Sequence, residues 1–159
     1  MKFRRYRAKL AFTITETIIA SIVLVIAIIG TAAYRYQAAM SAHKTDLYTT
    51  GVRTTLLLCE GWAGTDGDST FNPVTTFSPQ LNISTSTTGT SAPTGYTKLG
   101  YYKIIMDDVS YFATLSWKDI STGGVRSLHV VVKWDLCDRG INTFATANQS
   151  YHLTTYVKQ

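Results

Sequence analysis

The feature that most constrains this chain is a long apolar segment close to its first residue. Between Phe12 and Ala33 there are 22 residues with a single charged side chain, Glu16. As an α-helix rising 1.5 Å per residue, the segment would be about 33 Å long, which matches the hydrocarbon thickness of a bilayer. The sequence therefore predicts a membrane-spanning helix over residues 12–34.

Basic side chains precede this segment. Every charged residue before Glu16 is positive, and the five are Lys2, Arg4, Arg5, Arg7 and Lys9. Because positive flanks stay on the cytoplasmic side, this pattern predicts that the chain after the span lies outside the inner membrane. The rest of the chain carries ten Lys or Arg and ten Asp or Glu, so its composition gives no basic footprint for nucleic acid.

Three interpretations of the N-terminal segment are open. It is typical of a secretory signal peptide, with Thr31-Ala32-Ala33 as a small-residue cleavage site, and also of an uncleaved signal anchor. Neither interpretation uses Glu16, although a carboxylate costs roughly 2.5–3.5 kcal/mol at the centre of a membrane span and less near the interface. The third interpretation gives Glu16 a role.

The run Ala11-Phe12-Thr13-Ile14-Thr15-Glu16, followed at once by the apolar residues, resembles the cleavage and methylation motif of type IV prepilins. The resemblance implies that a prepilin peptidase cuts between Ala11 and Phe12 and that the new Phe12 N-terminus is methylated. It also implies that Glu16 pairs with the Phe12 amine of a neighbouring subunit and sets the register of a growing filament. Ala11 stands where the family usually has glycine.

This resemblance implies a structural subunit of a type IV pilus-like filament or of a type II secretion pseudopilus. The implied partners are identical or related pilin subunits, the prepilin peptidase, an inner-membrane assembly platform and, before assembly, the membrane itself. The precursor would be a single-pass inner-membrane protein, and the filament periplasmic or on the cell surface. No cofactor and no nucleic acid are expected. The alternative is an exported or membrane-anchored binding module, either an adhesin-like tip subunit or a soluble domain cleaved after Ala33.

Residues 1–11 are predicted to be a basic leader that precedes the span. After the span, the helix is predicted to continue through residues 35–64. Apolar residues recur there at intervals of four, four, three and four, as on one face of a helix. They are Tyr48, Val52, Leu56, Cys59 and Ala63. The sequence predicts that this face packs on a sheet and that the helix ends near Gly61 or Gly64.

Residues 65–98 are rich in Ser, Thr and Gly and predict a long surface loop. Asp66 and Asp68 resemble the start of a calcium-binding loop, in which oxygen ligands alternate. Phe77 stands where the closing acidic ligand is expected, so calcium is a weak candidate and a plain turn is the other interpretation.

Residues 99–159 alternate between apolar and polar side chains and predict an antiparallel sheet. The predicted strands are 101–106, 109–117, 128–136 and 151–157. About four strands against one helix face make a two-layer α+β domain. The resemblance to prepilins implies that this domain is pilin-like. Trp62, Trp117 and Trp134 are predicted to fill its core.

Cys59 and Cys137 are too far apart in sequence for a CxxC motif. In a small exported domain such a pair predicts a disulfide, with two buried free thiols as the alternative. His43, His129 and His152 are scattered, and no HExxH, GxSxG or phosphate-loop motif occurs, so the chain is predicted not to be an enzyme. His129 is predicted to be solvated or at a sheet edge.

Overall fold

The computed structural model describes residues 13–78, 80–120, 124–136 and 143–159. The chain divides into two compact units, Met1–His43 and Lys44–Gln159. The predicted leader, the Ala11–Phe12 junction and Cys137 lie outside the described residues.

Helix α1 (Ile14–Ala63, 50 residues) is the first element. In the first unit, every described residue from Thr13 to His43 is exposed. This helix is long and apolar enough to cross a membrane, as predicted.

In the described part of the second unit, five antiparallel strands form one sheet in the order β1-β2-β3-β4-β5. The strands are β1 (Asn82–Thr85), β2 (Thr97–Met106), β3 (Val109–Ile120), β4 (Val125–Trp134) and β5 (Gln149–Lys158). Two short helices complete it, α2 (Pro73–Phe77) and the 3-10 helix Phe144–Thr146. The α+β class predicted from the sequence is confirmed.

The prediction of about four strands and of an unstructured loop over 65–98 is wrong in detail. Helix α2, strand β1 and the start of β2 all lie in that segment. Strand β1 has only one buried side chain, Ile83, between polar residues. Four residues with one apolar position give no alternation to detect, and β1 forms because it pairs with the edge of β2.

The part of α1 in the second unit packs on the sheet with the predicted period but a different phase. Tyr48 and Leu56, which belong to the predicted face, remain 48% and 39% exposed. The buried residues are Leu47, Gly51, Thr54, Thr55, Leu58, Cys59 and Trp62. Two of them are threonines whose hydroxyls donate to the carbonyls one turn earlier, at 2.7 and 2.8 Å. Since these hydroxyls are satisfied within the helix, the threonines are buried at little cost.

Gly51 sets how closely α1 approaches the sheet. A Cβ at this position would lie 2.7 Å from the indole ring of Trp134, which is itself fully buried. Trp62 is also fully buried, and both tryptophans are core residues as predicted. Trp117 is only partly buried and lies beneath the guanidinium of Arg126, 4.0 Å from its ring.

The helix ends at Ala63, just before Gly64, as predicted, whereas Gly61 lies inside it. The turn that follows has a left-handed backbone at Asp66 (φ 53°) and Gly67 (φ 69°). A Cβ on Gly67 would lie 2.8 Å from Val157 and 2.9 Å from Leu128. Glycine is therefore required here for both its backbone and its contacts with the sheet.

The sheet face turned away from α1, called here the outer face, is partly covered. Residues 86–96 cross it, and the backbone N–H of Thr90 donates to Thr114 Oγ1 at 3.0 Å. From the other side Phe144 packs edge-on against Phe112, with ring centroids 5.9 Å apart. Part of the segment predicted to be a solvated loop is thus a packed third layer.

Candidate functional site

Glu16 lies at the start of α1 in a reciprocal pair of hydrogen bonds with Thr13. The Thr13 N–H donates to Glu16 Oε2 at 3.1 Å, and the Glu16 N–H donates to Thr13 Oγ1 at 3.4 Å. This is a capping box, in which a threonine before the helix and a glutamate three residues later satisfy each other's backbone N–H groups. Glu16 therefore begins the helix, a role that the sequence analysis missed although the Thr-x-x-Glu spacing signals it.

The capping box leaves part of the Glu16 carboxylate available. Thr13 Oγ1 also donates to Oε2, at 3.2 Å, whereas Oε1 has no hydrogen bond among the described residues. Glu16 is exposed. One carboxylate oxygen can thus accept from an external cation while the other holds the helix start.

The first unit presents a continuous apolar surface after Glu16. Large hydrophobic side chains point outward on every side of the helix and are more than half exposed. They are Ile14, Ile18, Ile19, Ile22, Val23, Leu24, Val25, Ile26, Ile28 and Ile29. The hydroxyls among them donate within the helix, Ser21 to the Ile18 carbonyl at 2.7 Å and Thr31 to the Ile28 carbonyl at 2.9 Å. Hydroxyls satisfied in this way are compatible with lipid or with a packed helix bundle.

Cys59 is a buried residue of α1, and its thiol has no disulfide partner among the described residues. Burial, with a smaller contribution from Glu60, raises the pKa of this thiol, so it is poorly reactive at neutral pH. Because Cys137 lies outside the described residues, the Cys59–Cys137 disulfide stays a prediction.

Asp66 and Asp68, the calcium candidates, lie in the turn after α1. Both Asp68 oxygens are occupied by Thr70, whose N–H and Oγ1 donate at 2.9 and 2.7 Å. These bonds lower the pKa of Asp68. Across the described ranges, no three His, Cys, Asp or Glu side chains are grouped as metal ligands. Calcium binding at Asp66 and Asp68 stays a prediction, with a plain turn as the other interpretation.

His129 lies on the outer face of β4, which is an inner strand, so the prediction of a solvated or edge histidine is wrong. Its ring is half-buried between Tyr96, at 5.7 Å, and His152, at 5.8 Å. Its Nδ1 is buried without a hydrogen-bond partner. Desolvation and, to a smaller extent, His152 lower the pKa of His129. Residues 86–96 cover this histidine, and sequence alternation alone gave no sign of that cover.

Lysines are segregated on the outer face. The strand register brings Lys98 opposite Ser116, Lys118 opposite Ser127 and Lys133 opposite Phe112, all on this side of the sheet. Among the described strand positions, the outer-face lysines are Lys98, Lys103, Lys118, Lys133 and Lys158, and no Asp or Glu of these strands has an outer-face register position. The sequence did not reveal this group of lysines, because the chain after the leader has equal numbers of basic and acidic residues. The acidic residues lie away from the outer face, for example in the turn Asp107–Asp108.

A cavity of about 360 Å³ opens on the outer face where β3 ends and β5 ends. It is lined by Tyr96, Lys118, Asp119, Ile120, Ser127 and Tyr156. Tyr96 Oη and Ser127 Oγ are hydrogen-bonded at 2.9 Å. Arg126 binds both carboxylate oxygens of Asp119, at 2.6 and 3.2 Å, so the charge of this acid is already matched.

Comparisons of the chain with models of known protein families, with curated proteins and with solved structures found no match. The geometry and the residues around Glu16 therefore carry the functional argument.

Proposed function

We propose that this protein is a structural subunit of a type IV pilus-like or type II secretion pseudopilus filament. It is inserted in the inner membrane as a precursor and cut before Phe12. It then assembles through the exposed apolar part of α1, with Glu16 pairing to the N-terminus of a neighbouring subunit. Catalysis has no part in this function.

The observation that carries the proposal is the exposed carboxylate of Glu16 at the start of a long apolar helix. Exposed apolar side chains on every side of a helix require lipid or other helices as their surroundings. A charge brought into such surroundings is tolerated when it is paired, and the free Oε1 of Glu16 offers that pairing. The amine created by cleavage before Phe12 is a cation of the required sign.

Exposed side chains on α1 in the second unit also support the proposal that the subunit contacts its neighbours along this helix. Tyr48, Leu56 and Leu57 lie outside the buried face and are 48%, 39% and 39% exposed. Contacts with adjacent subunits would cover these side chains in a filament. The predicted partners are thus copies of the same chain or related subunits.

The proposal is tested by coexpressing the full chain with a prepilin peptidase and measuring the mass of its N-terminal peptide. A methylated Phe12 terminus is the expected result. A Tyr34 terminus would instead identify a secreted domain, and an intact leader would identify a membrane anchor. Either of these two results contradicts the proposal and favours the binding-module alternative.

A further inference from the structure

We propose that the outer-face cavity between Tyr96, Lys118 and Tyr156 binds an acidic polysaccharide, with a carboxylate-bearing sugar seated in the cavity. The inference concerns the second unit alone and does not depend on filament assembly. It is carried by the charge around the cavity, the polar groups in it and the exposed ring of Tyr156.

The charge around the cavity is positive. Lys118 lines it, is exposed and has no acidic partner among the described residues. Lys98 and Lys158 are also exposed and lie on β2 and β5, on either side of Lys118. At about 4.8 Å between neighbouring strands, β2 to β5 span roughly 15 Å, and these three lysines form a diagonal row across them. Such a row attracts a chain with repeated negative charges.

The one acid in the cavity does not cancel this charge. Asp119 is held in a bidentate pair by Arg126, whose guanidinium also donates to the Gly67 carbonyl at 2.8 Å. Arg126 is only 8% exposed and is fully used within the fold. The free charge offered to a ligand is therefore that of the lysines.

The cavity has the size and the polar groups that a sugar needs. Its volume of about 360 Å³ lies within the range of roughly 300–1,000 Å³ common for small-ligand sites. The paired hydroxyls of Tyr96 and Ser127 each keep capacity for a further hydrogen bond with a sugar hydroxyl. Tyr156 is 63% exposed, and the negative face of its ring suits the C–H groups of a sugar ring.

The same features favour a polysaccharide over a nucleic acid. Single strands bind by stacking successive bases on several open rings. Here the other rings of the outer face are occupied: Tyr96 by His129, Tyr101 by the Lys98 amine, and Phe112 by Phe144.

The test is binding of the full chain, in nonionic detergent micelles, to fluorescent polygalacturonate oligomers followed by anisotropy. Neutral dextran and a single-stranded oligothymidylate are measured in parallel. We expect polygalacturonate to bind most tightly, Lys118→Gln to weaken it about fivefold, and Tyr156→Ala to weaken it about tenfold. Lys44→Gln is the matched control, since it removes one exposed lysine from α1 rather than from the outer face.

Four results would overturn the inference. They are no binding of polygalacturonate, equal binding of neutral dextran, tighter binding of the oligothymidylate, and equal losses in Lys118→Gln and Lys44→Gln. The third would assign the face to nucleic acid, and the fourth would reduce the effect to net charge. Because Lys118 and Tyr156 are exposed, their variants are expected to keep the fold.

Discussion

The stretches of α1 in the two units share one helical backbone but have opposite surroundings. In the first unit the side chains are mostly Ile, Val, Leu and Ala, and all of the described ones are exposed. In the second unit the buried face includes a glycine and two threonines, Gly51, Thr54 and Thr55. Apolar composition therefore does not identify the part of the helix that this chain buries within itself.

The difference shows what each stretch needs. The first contains many apolar side chains without partners in its own unit, so it needs apolar surroundings from outside that unit. The second has its partner in the sheet, and small residues let the helix approach that sheet closely. Substitutions in each stretch of α1, and then on the outer face of the sheet, test this contrast.

The largest expected effect is that of Glu16→Gln on assembly. Glutamine also forms a capping box, so this variant keeps the helix start but removes the charge. If the Glu16 charge sets the register between subunits, the variant is cleaved normally but its amount in filaments falls at least tenfold. The measurement is the ratio of subunit in sheared filaments to subunit in membranes, in cells that have the peptidase and assembly platform.

Thr13→Ala is the matched control for Glu16→Gln. It removes the threonine side of the cap, which costs about 1 kcal/mol of helix stability, and it retains the carboxylate. We expect this variant to assemble nearly as well as the wild type. Normal assembly of Glu16→Gln together with failure of Thr13→Ala would show that Glu16 acts only as a cap.

The second-largest expected effect is on stability, and it compares the same substitution at one glycine in each stretch of α1. Gly51→Leu forces a side chain against the Trp134 ring and is expected to lower the free energy of unfolding by about 2 kcal/mol. Gly30→Leu has nothing within 4 Å of its Cβ and should leave that free energy unchanged. Urea unfolding in detergent, followed by tryptophan fluorescence, measures both, because all three tryptophans lie in the second unit. Equal losses in the two variants would contradict the contrast.

Much of the fold could be predicted from local patterns. The apolar run predicted the exposed helix, and alternation over 109–117 and 128–136 predicted β3 and β4 to within a few residues. The buried face of α1 was predicted one residue out of position. Gly51, Thr54 and Thr55 belong to this face, but glycine and threonine are not residues that a hydrophobic pattern marks as buried. Gly51 in particular is buried against Trp134, which lies more than 80 residues later in the chain. Local periodicity contains no information about such a partner.

The candidate site could be predicted only in part. Glu16 stands out in sequence because it is one charge in an apolar run. The lysine row does not, since Lys98, Lys118 and Lys158 are far apart in sequence and only strand register brings them to one face. His129 was misplaced for the same reason: residues 86–96 cross the sheet through contacts of long sequence separation.

The smallest effect concerns His129 and gives the outer face a pH dependence. Its pKa is lowered in the folded protein, so the unfolded chain binds more protons as the pH falls below about 6.5. The free energy of unfolding of the second unit should therefore decrease between pH 7.5 and pH 5. The groups facing the ring are Tyr96 from residues 86–96, Ser116 from β3, and His152 and Thr154 from β5, and none of them is an Asp or Glu. Urea unfolding at both pH values should show a smaller decrease in His129→Gln than in the wild type, and an unchanged decrease in the control His43→Gln. An equal decrease in all three proteins would place the titrating group elsewhere.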